Sequence, residues 1–356
     1  MKKTPLDQIP ATELETPFLT PKKRMSLRKK LLVIIAVILG LAVITAGLGY
    51  VYFNNLLGKM DQEKIADNDK DLGIGDTQDN SSISVVSSAN SAITKDENAE
   101  LAKLPYYFEG VKGITNIVLF GIDTQDGVSG RSDTIIILTV DTRTDKIKLS
   151  SIVRDSYVYI PGRGMDKINH AHAFGGAQLA IKTINTNFHL DIRRYISVNF
   201  TSLPKIIDKL GGVEVTITEK EFPQVPGITA AGTYNLTGSQ ALAFARIRKI
   251  DSDFERSRRQ RDVIEAAIKK MFTQPVTSYP NIMSEVFPLL KTNMSSTEML
   301  GIGMSTVINN IRTIEKMRYP TSASGKGQNI NHVYYFVFDR ARMIHEMGKY
   351  IYLDQK

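Results

Sequence analysis

The chain has 356 residues, a net charge of +8 and 42% hydrophobic residues, and it contains neither cysteine nor tryptophan. The absence of cysteine excludes thiol catalysis, cysteine-based metal sites and disulfide bonds. A chain of this length can build a stable core from apolar residues alone.

The first predicted element is a membrane anchor at residues 31–53, which contain no charged side chain. As a helix rising about 1.5 Å per residue, this segment is about 34 Å long and crosses a hydrocarbon core of about 30 Å. A cleaved signal peptide is the alternative, but its apolar region is only about 7–15 residues long. Residues 1–30 carry eight basic and three acidic side chains. This positive excess predicts a cytoplasmic tail and export of everything after Phe53.

An acidic, polar segment follows the anchor. Residues 61–100 contain ten aspartates or glutamates and three lysines. Such a composition does not bury enough apolar surface to order a chain, so 54–103 is predicted to be an extracellular tether. The remaining residues, 104–356, are then one extracellular folded domain with a basic charge that suits a polyanionic substrate or surface.

Apolar runs rich in valine and isoleucine predict strands in this domain. The runs are 116–122, 134–140, 146–153, 194–200, 213–217 and 333–338. Most are nearly continuous, which is typical of strands buried on both faces, and the short gap between the second and third makes that pair antiparallel. Helical patterns fall at 170–188, 202–210, 238–246, 255–272 and 295–312, with a terminal helix. The order predicts an α/β fold in which helices flank a mixed central sheet.

Two carboxylates stand at the edges of predicted strands. Asp123 follows the first strand and Asp133 precedes the second. If those strands pair, both carboxylates lie at one end of the sheet, where they are suited to hold Mg²⁺ together with phosphate oxygens of a substrate. Alternatively, they are ordinary turn and capping residues, and the spacing does not decide between these two interpretations.

Arginines lie near the same strand ends. Arg131 stands two residues before Asp133, and Arg154 follows the third strand directly, with Asp155 next to it. A single arginine at a strand end is usually a solvated surface residue. Several charged residues at adjacent strand ends instead indicate a site for a phosphate or pyrophosphate, since guanidinium groups match phosphate geometry.

Two further arginines, Arg246 and Arg248, follow the helix predicted at 238–246. Residues two apart point in nearly opposite directions on a helix but share a face on an extended chain. If both arginines meet one anion, the helix must therefore end near Ala245 or Arg246.

The next helix carries a dense basic run. Arg256, Arg259 and Gln260 are three and four residues apart, so their side chains share one helical face. Arg258 and Arg261 point elsewhere and are expected to face solvent or anionic lipid. A nucleic-acid surface is another interpretation of this basicity, but the predicted export of the domain argues against nucleic acid as a partner.

The motifs occur in a recognisable order. They are NIVLFGID, GRSDTIIILTVD, LSSIVRDSYVYIP, KINHAHAFGG, DKLGGVEV, LTGSQALAFARIRK and DFERSRRQR. Together with the short basic tail and single apolar helix before them, they resemble the LytR-CpsA-Psr (LCP) family of Gram-positive cell-envelope proteins. The resemblance covers about 113–272 and fades beyond it. It implies an LCP-like mixed α/β domain preceded by one transmembrane helix.

The resemblance also implies an activity, namely transfer of a glycopolymer such as teichoic acid or a capsular polysaccharide from a polyprenyl-pyrophosphate lipid to peptidoglycan. By motif, Asp123 and Asp133 would hold Mg²⁺ or Mn²⁺. The residues that would line the pyrophosphate are Arg131, Arg154, Arg246, Arg248, Arg256, Arg259 and Gln260. Arg131, Arg154 and Asp155 are the candidate catalytic residues, and Asp155 and Asp253 are the candidates for a general base.

Phosphoryl transfer depends on positioning and charge stabilisation and needs no covalent residue, so the lack of a nucleophile triad is expected. The polyprenyl tail needs an apolar groove, which we place under helices 170–188 and 255–272. Two other functions remain open at this point. One is a regulator or scaffold that binds lipid-linked precursors without turnover, and the other is a hydrolase of polyprenyl pyrophosphate.

Overall fold

The computed structural model describes residues 61–75, 111–122, 130–248, 250–251, 253–275 and 278–356. The predicted anchor at 31–53 and tail at 1–30 lie outside these residues, as do 54–60 and 76–103 of the predicted tether. Among the residues that are described, no helix combines the length and the apolar character needed to cross a membrane. All of them belong to the unit that runs from Phe53 to Lys356.

Seven of the described strands form a mixed central sheet. In spatial order they are β1 (Asp61–Gln62), β10 (Lys291–Thr292), β7 (Arg194–Asn199), β2 (Ile114–Ile122), β3 (Ser132–Asp141), β4 (Lys146–Ile152) and β11 (Thr313–Tyr319). The pairs β2–β3 and β3–β4 are antiparallel, whereas β2–β7 and β4–β11 are parallel. The predicted mixed sheet and its β3–β4 hairpin are confirmed.

Helices pack on both faces of this sheet. They are α1 (Asp69–Leu72), α2 (Ile168–Phe188), α3 (Ser202–Lys209), α4 (Gly238–Ala245), α5 (Asp253–Thr273), α6 (Tyr279–Val286), α7 (Ser296–Ile308) and α8 (Arg340–Leu353). On one face, Ile135 and Ile137 of β3 join α2 and α8 in one core. On the other face, Ile136 packs with Ile264 and Ile268 of α5. Burial on both faces explains the continuous apolar run in β3.

Three hairpins stand outside the central sheet. They are β5 (Tyr157–Ile160) with β6 (Gly164–Lys167), β8 (Val213–Ile217) with β9 (Gly232–Leu236), and β12 (Gly325–Ile330) with β13 (Val333–Phe338). The expectation that 213–217 is a doubly buried strand is wrong, because Glu214 and Thr216 are exposed between buried valines and isoleucine. Alternating exposure is typical of an antiparallel hairpin with one solvated face.

The helix boundaries follow from local sequence. Gly211 and Gly212 adopt φ angles of 79° and 87°, which favour glycine, and they lead from α3 directly into β8. Thr237 begins α4 with a reciprocal capping box to Gln240. Arg246 is the C-cap of α4, so this helix ends where the sequence argument requires.

Residues 61–75 differ from the tether that their acidity predicts. β1 pairs with β10, and Leu72 and Ile74 are buried in the core shared with α2. Arg194 of the folded domain binds Asp67 at 2.8 Å. The overall acidic composition of 61–100 did not indicate this, because it gives little weight to Leu72 and Ile74, which attach this part of the chain to the domain.

Candidate active site

A polar cavity of about 440 Å³ opens where β3 begins and β4 ends. Its lining residues are Arg131, Asp133, Arg154, Asp155, Lys167, Asn169, His170 and Arg248. The structure therefore brings together five of the predicted site residues, from the β3 and β4 ends and from the segment after α4. Lys167, Asn169 and His170 are additions that we did not assign to the site from sequence.

Asp133 is central to this cavity. Its Oδ2 accepts hydrogen bonds from Arg154 Nη1 at 2.8 Å and from Arg248 Nη2 at 3.1 Å. Its Oδ1 lies 3.5 Å from Asn169 Nδ2. The Asp133 side chain is only 9% exposed. Each of these contacts is to a side chain, so Asp133 organises the site rather than capping a turn.

Asp155 holds two cations of the same cavity. Its Oδ2 lies 3.3 Å from Arg154 Nε, and its Oδ1 lies 2.8 Å from Lys167 Nζ. Because both carboxylate oxygens contact cations, Asp155 orients Arg154 and Lys167. Asp253, the other candidate general base, begins α5, and its catalytic role stays a prediction.

The passage from the β5–β6 hairpin into α2 supplies the three added residues. Lys167 ends β6, and α2 begins at the next residue. The backbone N–H of Asn169 donates to the carbonyl of Arg154 at 3.2 Å, which places the helix start beside the cavity. His170 Nδ1 lies 2.8 Å from Asp166 Oδ2. The signal for these residues was the cluster of polar side chains in KINHAHAFGG, directly before the helix break at the two glycines.

His172 stabilises the chain next to the site without lining the polar cavity. Its ring packs on Phe120 with centroids 5.3 Å apart, and its Nδ1 lies 3.0 Å from the carbonyl of Gly130. Burial lowers the pKa of His172 below its usual value, against the opposing effect of the Gly130 hydrogen bond. His172 is therefore neutral at physiological pH and positions the chain just before β3.

The predicted shared face of α5 does not meet this cavity. Arg259 is fully buried, and its Nε donates to Glu221 Oε1 at 2.7 Å, while a second nitrogen pairs with Asp251. Arg256 is also buried and is absent from the cavity lining. The sequence spacing correctly places both arginines on an inward face, but that spacing does not determine what the face contacts.

Glu221 completes this buried ion pair. Burial by itself would raise the pKa of Glu221, but hydrogen bonds from the Thr218 backbone and from Arg259 outweigh burial and lower it to about 2. Glu221 is 1% exposed. A buried carboxylate that is ionised at neutral pH thus neutralises Arg259, which gives Arg259 a structural role.

The expectation for the other two arginines of α5 is also corrected in part. Arg261 is only 8% exposed, and its Nη1 donates to Ser151 Oγ at 2.8 Å. Burial lowers the pKa of Arg261 to about 10. Arg258 is one-third exposed and pairs with Glu255 and Asp262 on its own helix. Its Nη2 also donates to Oε1 of Glu221 at 2.5 Å, the oxygen that Arg259 contacts. Arg261 is inward because α5 packs against β4 over several turns.

A second cavity, of about 140 Å³, lies between the sheet and helices α3, α4 and α5. Most of its lining is apolar, from Leu119, Phe120, Gly121, Ile196, Val198, Phe200, Leu203, Leu242, Ala245, Val263 and Ile264. Its polar members are Thr134, Asn199, Arg246 and Gln260. The apolar groove that we expected under two helices is bordered by α5 but not by α2.

The two cavities lie on either side of one strand end. Asp133 lines the polar cavity, and the next residue, Thr134, lines the apolar one. Likewise, Arg248 lines the polar cavity and Arg246 the apolar one. The Arg246 guanidinium stacks 4.4 Å from the centre of the Phe200 ring. The two arginines therefore serve adjacent cavities instead of one shared anion.

Asp123 lies outside the described residues. Its strand β2 ends at Ile122, which pairs with Ser132, so the predicted pairing of these strands is confirmed. Within the described ranges, no three histidine, aspartate or glutamate side chains converge on a metal site. However, the buried Oδ1 of Asn169 has no hydrogen-bond partner among the described atoms. Asn169 turns its amide nitrogen toward Asp133, and its unpaired amide oxygen is a hard oxygen donor of the kind that Mg²⁺ prefers.

Comparisons with known proteins agree with this architecture. A model of the LytR_cpsA_psr family matches residues 79–349. The polyisoprenyl-teichoic acid–peptidoglycan teichoic acid transferase TagU of Oceanobacillus iheyensis is 36% identical over 270 residues, covering 71% of this chain and 80% of that protein. TagU of Halalkalibacterium halodurans is 37% identical over 240 residues, covering 66% of this chain and 77% of that protein.

Solved structures give the same result. The structure of TagT bound to LIIa-WTA is 30% identical, covers 69% of this chain and 92% of that chain, and has a TM-score of 0.59. YwtF (TagT) with bound octaprenyl pyrophosphate lipid is 28% identical, with corresponding coverages of 68% and 92% and a TM-score of 0.54. The match to 349 shows that the family domain extends well beyond the motif core at 113–272. The chain belongs to the LytR-CpsA-Psr family.

Proposed function

We propose that this protein transfers a teichoic-acid-type glycopolymer from a polyprenyl-pyrophosphate carrier to peptidoglycan, leaving a phosphodiester link. One observation carries the proposal, which is that an arginine-lined polar cavity and an apolar cavity lie on either side of the strand end that holds Asp133 and Thr134. A polyprenyl pyrophosphate has the same two parts joined in the same way. The related TagT structure with bound octaprenyl pyrophosphate lipid supports this assignment.

The polar cavity suits the pyrophosphate. Arg131, Arg154, Lys167 and Arg248 place four cations around it, and the planar guanidinium groups bind phosphate oxygens in pairs. Arg131 and Arg248 are exposed enough to move toward a ligand. Arg154 is held by Asp133 and Asp155, so its position is set before the substrate arrives.

The apolar cavity suits the first part of the polyprenyl chain. Its walls are aliphatic and aromatic side chains from the sheet and from α3, α4 and α5. Arg246 and Gln260 are its polar members, and they lie where the chain would join the charged head group. Arg246 and Gln260 were predicted to line the pyrophosphate. In this proposal they stay near the pyrophosphate, although they line the apolar cavity.

The chemistry follows from the charges. A hydroxyl oxygen of peptidoglycan bonds to the sugar-side phosphorus and loses its proton, while the bond from that phosphorus to the polyprenyl phosphate breaks. Negative charge grows on the departing phosphate, and Arg154 stabilises it because Arg154 is already in place. Arg248 adds to this stabilisation once it has moved to the ligand. Such electrostatic stabilisation accounts for catalysis without a covalent protein intermediate.

The proposal also includes a divalent cation bound at the site and an extracellular location for the folded domain. Asp133, the amide oxygen of Asn169 and Asp123 would hold Mg²⁺, with Mn²⁺ as a substitute. When bound, such an ion neutralises charge on the pyrophosphate oxygens. The anchor proposed at 31–53, with its basic cytoplasmic tail, would place the domain outside the membrane, where peptidoglycan is found.

The test combines the purified full chain in detergent with a lipid-linked glycopolymer, Mg²⁺ and peptidoglycan. We expect glycopolymer bound covalently to peptidoglycan and an equal amount of released polyprenyl monophosphate. Glycopolymer phosphate released into solution would instead identify a hydrolase, and lipid binding without any product would identify a scaffold. The protein must include residues 61–75, because they are part of the folded domain.

A further inference from the structure

Residues 61–75 enter the domain at the end of the sheet where the two cavities lie. β7 runs parallel to β2 and ends at the cavity side, and β10 and β1 both run in the opposite direction. The segment then follows α2 away from the cavities. The Ala66 N–H donates to Gln178 Oε1 at 3.2 Å. Further along both segments, the Leu72 carbonyl accepts from Asn185 Nδ2 at 2.9 Å. The chain before β1 therefore arrives from the cavity side.

Only a short link precedes this entry point. The proposed anchor ends at Phe53, and residues 54–60 separate it from Asp61. Seven residues span at most about 25 Å even when they are fully extended. A domain on such a link stays near the bilayer and turns the entry side toward it. The apolar cavity, which the proposed function assigns to a polyprenyl chain, includes Asn199 and Phe200 from that side, at the end of β7.

Phe174 gives the cavity side an exposed aromatic side chain. It is 42% exposed, and α2 breaks directly after it at Gly175 and Gly176, whose φ and ψ are not helical. The centroid of its ring lies 5.9 Å from that of His170, which lines the polar cavity. Ala173 and Gly175, on either side of Phe174, are exposed as well. The break in α2 thus forms an apolar tip beside the polar cavity.

Exposed arginines lie at the same end. The guanidinium of Arg163, itself an exposed residue, stacks 4.6 Å from the centre of the Phe174 ring. Arg131 and Arg248 line the polar cavity and are exposed too. Aromatic side chains prefer the head-group level of a bilayer, and basic side chains are attracted to anionic head groups. An apolar tip that carries a cation therefore matches an anionic lipid surface.

We propose that the cavity end of the domain docks on an anionic lipid surface, with Phe174 at head-group level and Arg163 against lipid phosphates. Docking in this orientation lets a polyprenyl chain pass from the bilayer into the apolar cavity without crossing water. The inference rests on the proposed function, which supplies the anchor and the lipid substrate, and it identifies the surface through which the domain reaches that substrate.

A single fluorescent reporter tests the contact without turnover. The chain contains no tryptophan, so Phe174→Trp places one at the tip. The full chain is reconstituted into vesicles of phosphatidylglycerol and phosphatidylcholine, with or without bromine on the upper acyl chains. We expect bromine to remove about half of the emission, because a tryptophan at head-group level lies next to those carbons. Unchanged emission would overturn the proposal.

Leu353→Trp is the matched control for position. Leu353 is 45% exposed, similar to Phe174. It lies at the other end of the sheet, since the next residue, Asp354, pairs with Lys146 at the start of β4. Bromine should leave its emission unchanged. Equal quenching at both positions would show unspecific contact with lipid and would overturn the docking surface.

Arg163→Gln tests the charge in the Phe174→Trp background. The ratio of docked to undocked domains, taken from the quenched fraction, should fall about fivefold on loss of one cation. Arg312→Gln is the matched control, because Arg312 is also exposed and stacks 4.6 Å from an aromatic ring, that of Phe272. Arg312 precedes β11 at the end of the sheet away from the cavities. Equal losses in both variants would mean that only net charge matters, and would refute docking through this tip.

The same vesicles separate this inference from the proposed function. Transfer by the wild type without quenching in Phe174→Trp would leave the transferase standing and overturn the docking surface. Quenching without transfer would support the surface and refute the transferase. A tryptophan shielded from aqueous iodide but not quenched by bromine would indicate a second copy of the chain on this face, and the lipid assignment would fail.

Discussion

Arg154 donates from Nη1 to Oδ2 of Asp133 at 2.8 Å, so a carboxylate of the polar cavity occupies a cation that the pyrophosphate needs. Arg248 shares the same oxygen at 3.1 Å. We therefore predict that substrate binding is an exchange in which phosphate oxygens replace Asp133 on both guanidinium groups. Because Asp133 and the phosphate oxygens compete for the same arginines, single substitutions that change one charge test the polar cavity.

Asp133→Asn separates pyrophosphate binding from transfer. The change removes a negative charge and the competitor of both arginines, so we expect inorganic pyrophosphate to bind several-fold more tightly when EDTA is present. Transfer should be abolished, because the proposed cation loses its carboxylate. Calorimetry and the transfer assay measure the two effects. The control is Asp145→Asn, in the exposed turn at the other end of β3, which should change neither pyrophosphate binding nor transfer. Weaker pyrophosphate binding by Asp133→Asn would refute the exchange.

Arg154→Lys tests the guanidinium geometry at constant charge. Lysine does not reproduce the two separate hydrogen bonds that Arg154 makes to Asp133 and Asp155. A charged hydrogen bond contributes about 1.5–3 kcal/mol, so we expect kcat/KM for transfer to fall about 10- to 100-fold. Arg312→Lys, an exposed arginine stacked on Phe272, is the control and should keep full activity. Full activity of Arg154→Lys would show that only net charge matters.

Glu221→Gln tests the structural role of Arg259. The substitution leaves a fully buried guanidinium with half of its compensating charge. Breaking a buried ion pair costs about 3–5 kcal/mol, so we expect a loss of that size in the free energy of unfolding measured by urea denaturation. Glu219→Gln, two residues away and exposed, should have no measurable effect. A Glu221→Gln variant of normal stability and low donor affinity would return Arg259 to the pyrophosphate site.

Two buried carboxylates, Glu221 and Asp141, predict how stability depends on pH. Burial alone would raise the pKa of Asp141, but hydrogen bonds from Arg143 and the charge of Lys148 lower it to about 2. Glu221 also titrates near 2. Both groups bind protons more readily when the protein is unfolded, so their stabilisation is present above about pH 5 and is lost as pH falls toward 2.

At neutral pH we expect Asp141 to contribute about 2.5 kcal/mol and Glu221 about 3.5 kcal/mol, because one pKa unit corresponds to about 1.4 kcal/mol. Urea denaturation between pH 7 and pH 2 measures the loss. The Asp141→Asn variant should be less stable at pH 7 and should lose less stability on acidification. An unchanged pH profile in that variant would contradict the assignment.

Leu72→Ala tests the attachment of residues 61–75. Leu72 is fully buried in the core, and replacing such a leucine with alanine costs about 2–5 kcal/mol. We expect a loss in that range from thermal or urea denaturation. Lys70→Ala, on the exposed side of the same short helix, should leave stability within about 0.5 kcal/mol of the wild type. If both variants matched the wild type, the segment would be a tether after all.

The sequence by itself determined the elements whose cause is local. Runs rich in apolar residues located β2, β3, β4 and β7, because strands of a sheet covered by helices on both faces are rich in apolar side chains. Caps and glycines located the ends of α3 and α4, because Thr237 and Gly212 satisfy backbone requirements within a few residues. The motif order was specific enough to identify the family. The membrane anchor and the role of Asp123 stay predictions.

Tertiary structure decided which surfaces these elements meet. Helical spacing showed that Arg256 and Arg259 share a face, but only the packing of α5 against the segment of Glu221 made that face a buried ion pair. The path of the chain after α4 divided Arg246 and Arg248 between two cavities, and a partner strand far along the chain ordered residues 61–62. Periodicity fixes directions within one element, whereas contacts depend on elements distant in sequence that only the folded chain brings together.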